Sequence, residues 1–312
     1  MTYEEARYED PLSPRAQRLT RLASYASVSV ACLLVAAKFA AWIATDSVSM
    51  LSSLMDSALD GFASLVTLFA IHFSLKPPDA EHRFGHGKAQ PLAALAQSAF
   101  IAGSGLFLMI QALERLIRPE PVANTGIGIA VILFSIVMTI ALVAWQRYVS
   151  RRTGSVAIKA DMAHYAGDLF ANMGVIAGLA LAGFAGIGWA DPVFAGAVAL
   201  YLLFGAWHIA QGSLDLLMDR EMTEEERAAI RDIALSYPQV RGVHALKTRR
   251  TGTLAFIQID LEMNGGMTLT RAHAVGNAVS AQIRLVFPDA EVIIHHDPGP
   301  DENAAEPADS SG

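Results

Sequence analysis

SSLMDSALDGFASL, residues 52–65, is flanked by apolar sequence on both sides, yet it carries Asp56 and Asp60 four residues apart. Residues at i and i+4 of a helix stack on one face. The stretch therefore reads as part of a membrane-crossing helix with two carboxylates on a single stripe. An ionised residue near the bilayer centre costs about 2.5–3.5 kcal/mol on insertion scales. Two of them close together also repel, so they must be protonated, wetted or neutralised by a cation.

Working outward, AIKADMAHYAGDLFANMG, residues 157–174, is a second apolar helix of the same kind, with His164 and Asp168 four apart and Asp161 one turn earlier. Asp161 reads as a charge at the cytoplasmic end of that span, not as a ligand. Asp56, Asp60, His164 and Asp168 together offer three carboxylates and one imidazole, a set that suits a tetrahedral divalent ion such as Zn²⁺. Imidazole changes charge near neutral pH, and metal and protons compete for the same lone pairs. The plainer reading of such residues is polar glue between helices. Two i,i+4 pairs in separate spans are an expensive way to supply glue.

The rest of the chain supports a membrane setting. Of 312 residues, 53% are hydrophobic and only 17% charged, too few charges for an ordinary globular surface. The net charge of −7 argues against nucleic acid as a partner. Cys32 is the single cysteine, which excludes an intramolecular disulfide and a cysteine-built zinc site. The polar, acidic start does not resemble a cleaved signal peptide. Six spans of roughly 20 residues or more, the length a bilayer requires, are expected near 22–45, 48–75, 91–113, 124–147, 159–184 and 190–217. Lys and Arg concentrate before the first span, between the second and third, and between the fourth and fifth. That bias places both termini in the cytoplasm.

After residue 217 the composition becomes that of a soluble domain. TEEERAAIRDIALSYP has an acidic first turn and a proline stop, as a helix does. VRGVHALKTRR and TLAFIQIDLEM read as strands around a Thr-Gly turn, MTLTRAHAVGNAVSAQIRLVF has helical periodicity, and DAEVIIHHDP reads as a last strand. The expected fold class is an α-helical membrane protein, a six-helix transmembrane bundle followed by a small α+β (α-β-β-α-β) domain. The expected segments are an arm (1–21), the transmembrane domain (22–217), the cytoplasmic domain (218–298) and a tail (299–312) whose Asp, Glu, Ala, Pro and Ser content predicts disorder.

Two further groups carry metal-ligand chemistry. KPPDAEHRFGHGKAQP, between the second and third spans, holds Asp79, His82 and His86 in a loop broken by Pro and Gly. Two imidazoles and a carboxylate within eight residues suffice for a weak site completed by water. The soluble domain scatters His244, Asp260, His273, His295, His296 and Asp297 over its strands and second helix. His72 and His208 stand alone in apolar helices and read as packing residues.

DSALD, HYAGD, HRFGHGKAQ, RRTGSVAIKADMAHYAGD and FIQIDLEM resemble the cation diffusion facilitators, above all the bacterial zinc and ferrous-iron efflux pumps, over about residues 20–298. The resemblance implies a homodimeric exporter of divalent metal working against protons, with a metallochaperone-like cytoplasmic domain. Zn²⁺ is the expected cargo, with Cd²⁺ or Fe²⁺ as alternatives. It implies that Asp56, Asp60, His164 and Asp168 form the transport site and that Asp79, His82 and His86 form a secondary site. Lys88 and Asp219 match a charge interlock near the membrane surface. His244, Asp260, His273, His295 and Asp297 match a binuclear site at the dimer interface. Asp260 departs from the relatives, which carry His there; a carboxylate is a harder ligand, and His296 is a candidate to compensate. The rival reading is a membrane-anchored cytoplasmic metal sensor that transports nothing.

Overall fold

The structure, a computed structural model, describes residues 13–46, 48–117, 126–185, 190–252, 254–288 and 290–299. Most of the expected arm, Arg118 and Glu120 of one loop, and the tail beyond Gly299 lie outside the described residues. The chain forms two compact units, Met1–Leu217 and Met218–Gly312.

Among the described residues the first unit is a bundle of six long helices: α1 (Pro14–Thr45), α2 (Val48–Ser74), α3 (Ala89–Ile117), α4 (Gly126–Thr153), α5 (Val156–Ala185) and α6 (Ala190–Leu217). Five of them, all but α5, contain a window long and apolar enough to cross a membrane among the described residues. α1 starts well ahead of the expected residue 22. Ser13 Oγ accepts the amide of Ala16 at 3.1 Å and Pro14 occupies the first turn, a combination that starts a helix even where the next residues are polar. α4 overruns its expected end, because QRYVSRRT keeps helical geometry and sets Arg151 and Arg152 in the last turn, where cations complement the helix dipole.

α1 buries a stripe of small residues, Ala16, Thr20, Ala23, Ser24, Ser27 and Ala31. Small side chains let helices approach closely in lipid, where no hydrophobic effect drives them together. α1 packs along α2 and α4, α3 packs along α6, and α5 is wedged among α3, α4 and α6 while meeting α2 over a short stretch.

The second unit runs α7 (Glu224–Leu235), β1 (Val240–Thr251), β2 (Leu254–Asn264), α8 (Leu269–Val286) and β3 (Ala290–Gly299). α7 opens on a capping box between Thr223 and Glu226. β1 and β2 pair antiparallel around Gly252, whose φ of +65° makes the tight turn. β3 pairs parallel with β2, and α8 supplies the crossover such a pair needs. The sheet order is β1-β2-β3. Strand alternation sends Ile257, Ile259, Leu261 and Met263 of β2 toward a core shared with Ile230, Val279 and Ile283 of the helices. Gln258, Asp260 and Glu262 alternate with them and point to the uncovered face.

Candidate metal centre

α2 and α5 bring Asp60, His164 and Asp168 together, with one ligand atom from each within 4.8 Å of the others. His164 Nε2 is hydrogen-bonded to Asp60 Oδ1 at 3.0 Å and lies 3.7 Å from Asp168 Oδ2. The imidazole is buried, and the Tyr165 ring meets it edge-on at 5.7 Å. Asp168 Oδ2 is buried without a hydrogen-bond partner. A buried carboxylate oxygen left bare beside a second carboxylate is an unstable arrangement unless a proton or cation joins it, so these residues fit a divalent ion. Asp56 is exposed and lies outside this three-residue group, though its charge acts on both Asp60 and Asp168. Four residues of helix carry a side chain about 6 Å along the axis and about 40° around it, so Asp60 meets α5 while Asp56 stands beyond the group.

Asp161 requires a correction. Expected as a charge at the cytoplasmic end of the span, it lies near the start of α5 but is completely buried. Its Oδ2 accepts from Ser27 Oγ (2.6 Å) and Gln146 Nε2 (2.7 Å), and its Oδ1 from Gln97 Nε2 (2.8 Å) and Ser64 Oγ (3.4 Å). Ser64 Oγ is hydrogen-bonded in turn to Tyr165 Oη and Ser27 Oγ. One carboxylate on α5 thus draws donors from α1, α2, α3 and α4. Gln97 and Gln146, amides inside apolar spans, were the signal in the sequence that such a hub exists.

The loop trio also converges. Asp79 Oδ1 lies 3.4 Å from His82 Nδ1 and Asp79 Oδ2 lies 3.3 Å from His86 Nε2, with the two rings 4.6 Å apart. The geometry comes from a turn. Asp79 Oδ1 accepts the backbone amides of His82 (2.7 Å) and Glu81 (3.0 Å), and Gly85, at φ +77°, folds its own amide back to the His82 carbonyl. The backbone amide of His82 holds the Asp79 carboxyl below its usual range; desolvation opposes it, and the Glu81 amide and the two imidazoles add to the lowering. Lys88 Nζ donates to the carbonyl of Leu217 at 3.2 Å, while in the second unit Asp219 accepts from Arg249 at 3.1 Å.

In the soluble unit, Asp260, His295 and Asp297 form a compact group. Sheet register explains it: His244, Asp260 and His295 lie across one row of the three strands, and Glu262 pairs with Asp297 in the next row of the same face. His295 Nδ1 is 2.9 Å from Asp297 Oδ1, and Asp260 Oδ1 is buried without a partner. His244 is near this row but is hydrogen-bonded to Glu262 at 2.9 Å, a carboxylate the sequence reading passed over. His296 and His273 lie apart from the group. Successive strand residues face opposite ways, so His296 turns toward α8, where its Nε2 would sit only 2.4 Å from a Cβ on Gly276, and its ring centre is 6.4 Å from that of His273.

Residues 24–218 match the cation efflux transmembrane domain family, and residues 222–299 match the cytoplasmic domain family of cation efflux proteins. The chain is 42% identical over 287 residues to a cation-efflux pump FieF of Pectobacterium atrosepticum, covering 92% of this chain and 95% of that protein. It is 45% identical over 283 residues to the protein of the same name from Citrobacter koseri, covering 90% and 93%. Among solved structures, the metal-bound C-terminal domain of the CzcD transporter from Thermotoga maritima is 28% identical, covering 25% of this chain and 94% of that one, at a TM-score of 0.24. The two family matches and the near full-length relatives identify the chain as a member of the cation diffusion facilitator family.

Proposed function

We propose that this transporter exports a divalent cation from the cytoplasm in exchange for protons, with Zn²⁺ as the main cargo and Cd²⁺ or Fe²⁺ as alternatives. The observation that carries the reading is the position of His164 Nε2, 3.0 Å from a carboxylate oxygen of Asp60 and 3.7 Å from one of Asp168. In the empty site a proton holds the imidazole to Asp60. A metal ion takes the same lone pair only when that proton leaves. Loading and proton release are therefore one event at one atom, and reloading with protons drives the ion off. Asp56 lies outside the three-residue group. It completes the tetrad when α2 turns against α5 during alternating access.

The protein works as a homodimer in the inner membrane, with both termini in the cytoplasm. The Asp260, His295 and Asp297 group binds metal on the open sheet face and couples cytoplasmic metal level to activity, with His244 released from Glu262 to join it. The relatives named cation-efflux pumps support the direction of transport. The test is transport by the purified protein in liposomes, with a pH dye inside and Zn²⁺, Cd²⁺ or Fe²⁺ outside. Metal-dependent proton flux that vanishes in Asp60→Ala and His164→Ala is expected. Flux without proton movement would remove antiport, and absence of any flux in the unaltered protein would leave the metal-sensor reading standing.

A further inference from the structure

A lysine that the tetrad does not use lies within reach of its charges. Lys38 is on α1, and its side chain crosses to α2, where Nζ donates to the Ser53 carbonyl (3.2 Å) and to Ser57 Oγ (2.6 Å). Each serine precedes an aspartate by three residues, Ser53 before Asp56 and Ser57 before Asp60, so the serines form a stripe beside the carboxylate stripe. Lysines near the ends of spans extend to the headgroups. This one is anchored inside the bundle, with Ser57 buried beneath it. The ammonium is partly buried, and the carboxylates whose charges act on it there are those of Asp60, Asp56 and Asp168.

Formal charge gives this placement a meaning. Asp56, Asp60 and Asp168 contribute three negative charges and Lys38 one positive, leaving two negative charges for the empty site with His164 neutral. One divalent ion cancels that. Without the lysine, a bound divalent ion would leave one negative charge uncompensated at membrane depth, and the site would hold cations harder. We propose that Lys38 is a tethered counter-cation of the transport site, which weakens the grip on the divalent ion enough to let it leave. This rests on the reading of Asp60, His164 and Asp168 as the transport site. A carrier that binds its cargo too tightly traps it, so a fixed repulsive charge raises turnover while it lowers affinity.

The experiment uses the full-length purified protein with His82, His86 and Asp260 replaced by alanine, so that Cd²⁺ binding reports the intramembrane site, measured by chelator competition and paired with liposome transport. In that background Lys38→Met should lower the Cd²⁺ dissociation constant about tenfold or more, since one unit charge is removed from a low-dielectric site. KM and kcat should both fall. Lys38→Arg keeps the charge and should stay near the unaltered values. Ser57→Ala frees the ammonium without removing it and should tighten binding by a smaller factor, about threefold. A purely structural role predicts the opposite, weaker binding in Lys38→Met with a raised KM, and that result or unchanged affinity overturns the proposal. Asp60→Asn separates the two levels. If Cd²⁺ binding does not depend on Asp60, the transport-site reading fails and takes Lys38 with it. If binding needs Asp60 but Lys38→Met leaves affinity unchanged, only the lysine inference fails.

Discussion

Asp161 and Asp168 stand two turns apart on the same helix, and their surroundings treat them in opposite ways. Asp161 is fully buried and saturated by two serines and two glutamines from four other helices. Asp168 faces a second carboxylate and an imidazole, and its buried Oδ2, 3.7 Å from His164 Nε2, has no hydrogen-bond partner. A carboxylate ringed by neutral donors is already solvated by the protein and has nothing left to offer a cation. A carboxylate left partly bare beside another is held in readiness for one. The same residue type, in one apolar helix, is thus structural in the first place and chemical in the second.

The most direct way to break that contrast is to neutralise each carboxylate in turn. Asp168→Asn and Asp60→Asn should lower metal transport about a hundredfold or more, given that even outer-shell changes around metals cost 10–100-fold. They should leave folding intact, because each removes repulsion between carboxylates and an asparagine amide oxygen in place of Asp60 can still accept the His164 hydrogen bond. Asp161→Asn should do the reverse to the protein's yield and thermal stability, since its amide would point donors at donors. Liposome flux and detergent melting curves on the same preparations read both. Equal loss of stability at Asp161 and Asp168 would erase the distinction.

Next in size is the hub itself. Asp161→Ala strands donors on Ser27, Ser64, Gln97 and Gln146, and one buried unsatisfied group costs about 1–3 kcal/mol. With partial rescue by water, a loss of about 3 kcal/mol is expected. Gln146→Leu removes one donor and also the hub's own unpartnered Gln146 Oε1, so it should cost much less. A Gln146→Leu protein as unstable as Asp161→Ala would show that the network acts as a unit and not as separable bonds.

The sequence made this contrast only half visible. Asp60, His164 and Asp168 stood out because carboxylates at i,i+4 spacing are costly in apolar helices, and the six-span bundle followed from run lengths. Asp56 shared their pattern, but helical facing is a property of one helix and does not say how far the neighbouring helix reaches. The burial of Asp161 was not readable, because only the packing of five helices brings Gln97 and Gln146 to it. Lys38 was silent for the same reason, since Ser53 and Ser57 matter only once α1 lies against α2. In the soluble unit the alternation of strands was readable, and it separates His295 from His296 on opposite faces. The hydrogen bond from His244 to Glu262 was not readable, because it depends on register.

Asp260 extends the comparison beyond the membrane. Like Asp168, it keeps a buried oxygen without a partner, beside His295 and Asp297. A ligand present at a hundredfold its dissociation constant stabilises the state that binds it by about 2.7 kcal/mol. Zn²⁺ at that level should therefore raise the unfolding resistance of the second unit in the full-length protein, followed by hydrogen exchange in β2 and β3. Asp260→Ala should abolish the gain with little cost to the metal-free protein. A gain that survives Asp260→Ala would mean that the orphan oxygen does not mark the metal.

His296 tests whether a bare buried atom is sufficient by itself. Its Nε2 also lacks a partner, yet it lies on the helix-facing side of β3, away from the Asp260 group. Burial, then the neighbouring imidazoles of His273 and His295, pushes its pKa below the ordinary value of 6.5. The folded protein therefore disfavours the protonated ring and the unfolded chain does not. Stability from this residue is present above about pH 6.5 and is lost as pH falls through that value toward the lower folded one. In metal-free protein, exchange protection of β3 and α8 should decline from pH 7.5 to pH 5.5 after correction for intrinsic rates, and His296→Asn should flatten that decline while leaving the Zn²⁺-dependent protection of β2 in place. If His296→Asn instead removed the Zn²⁺ response, the imidazole would be a ligand despite facing the other way. An unpartnered atom would then mark a metal site even outside the three-residue group.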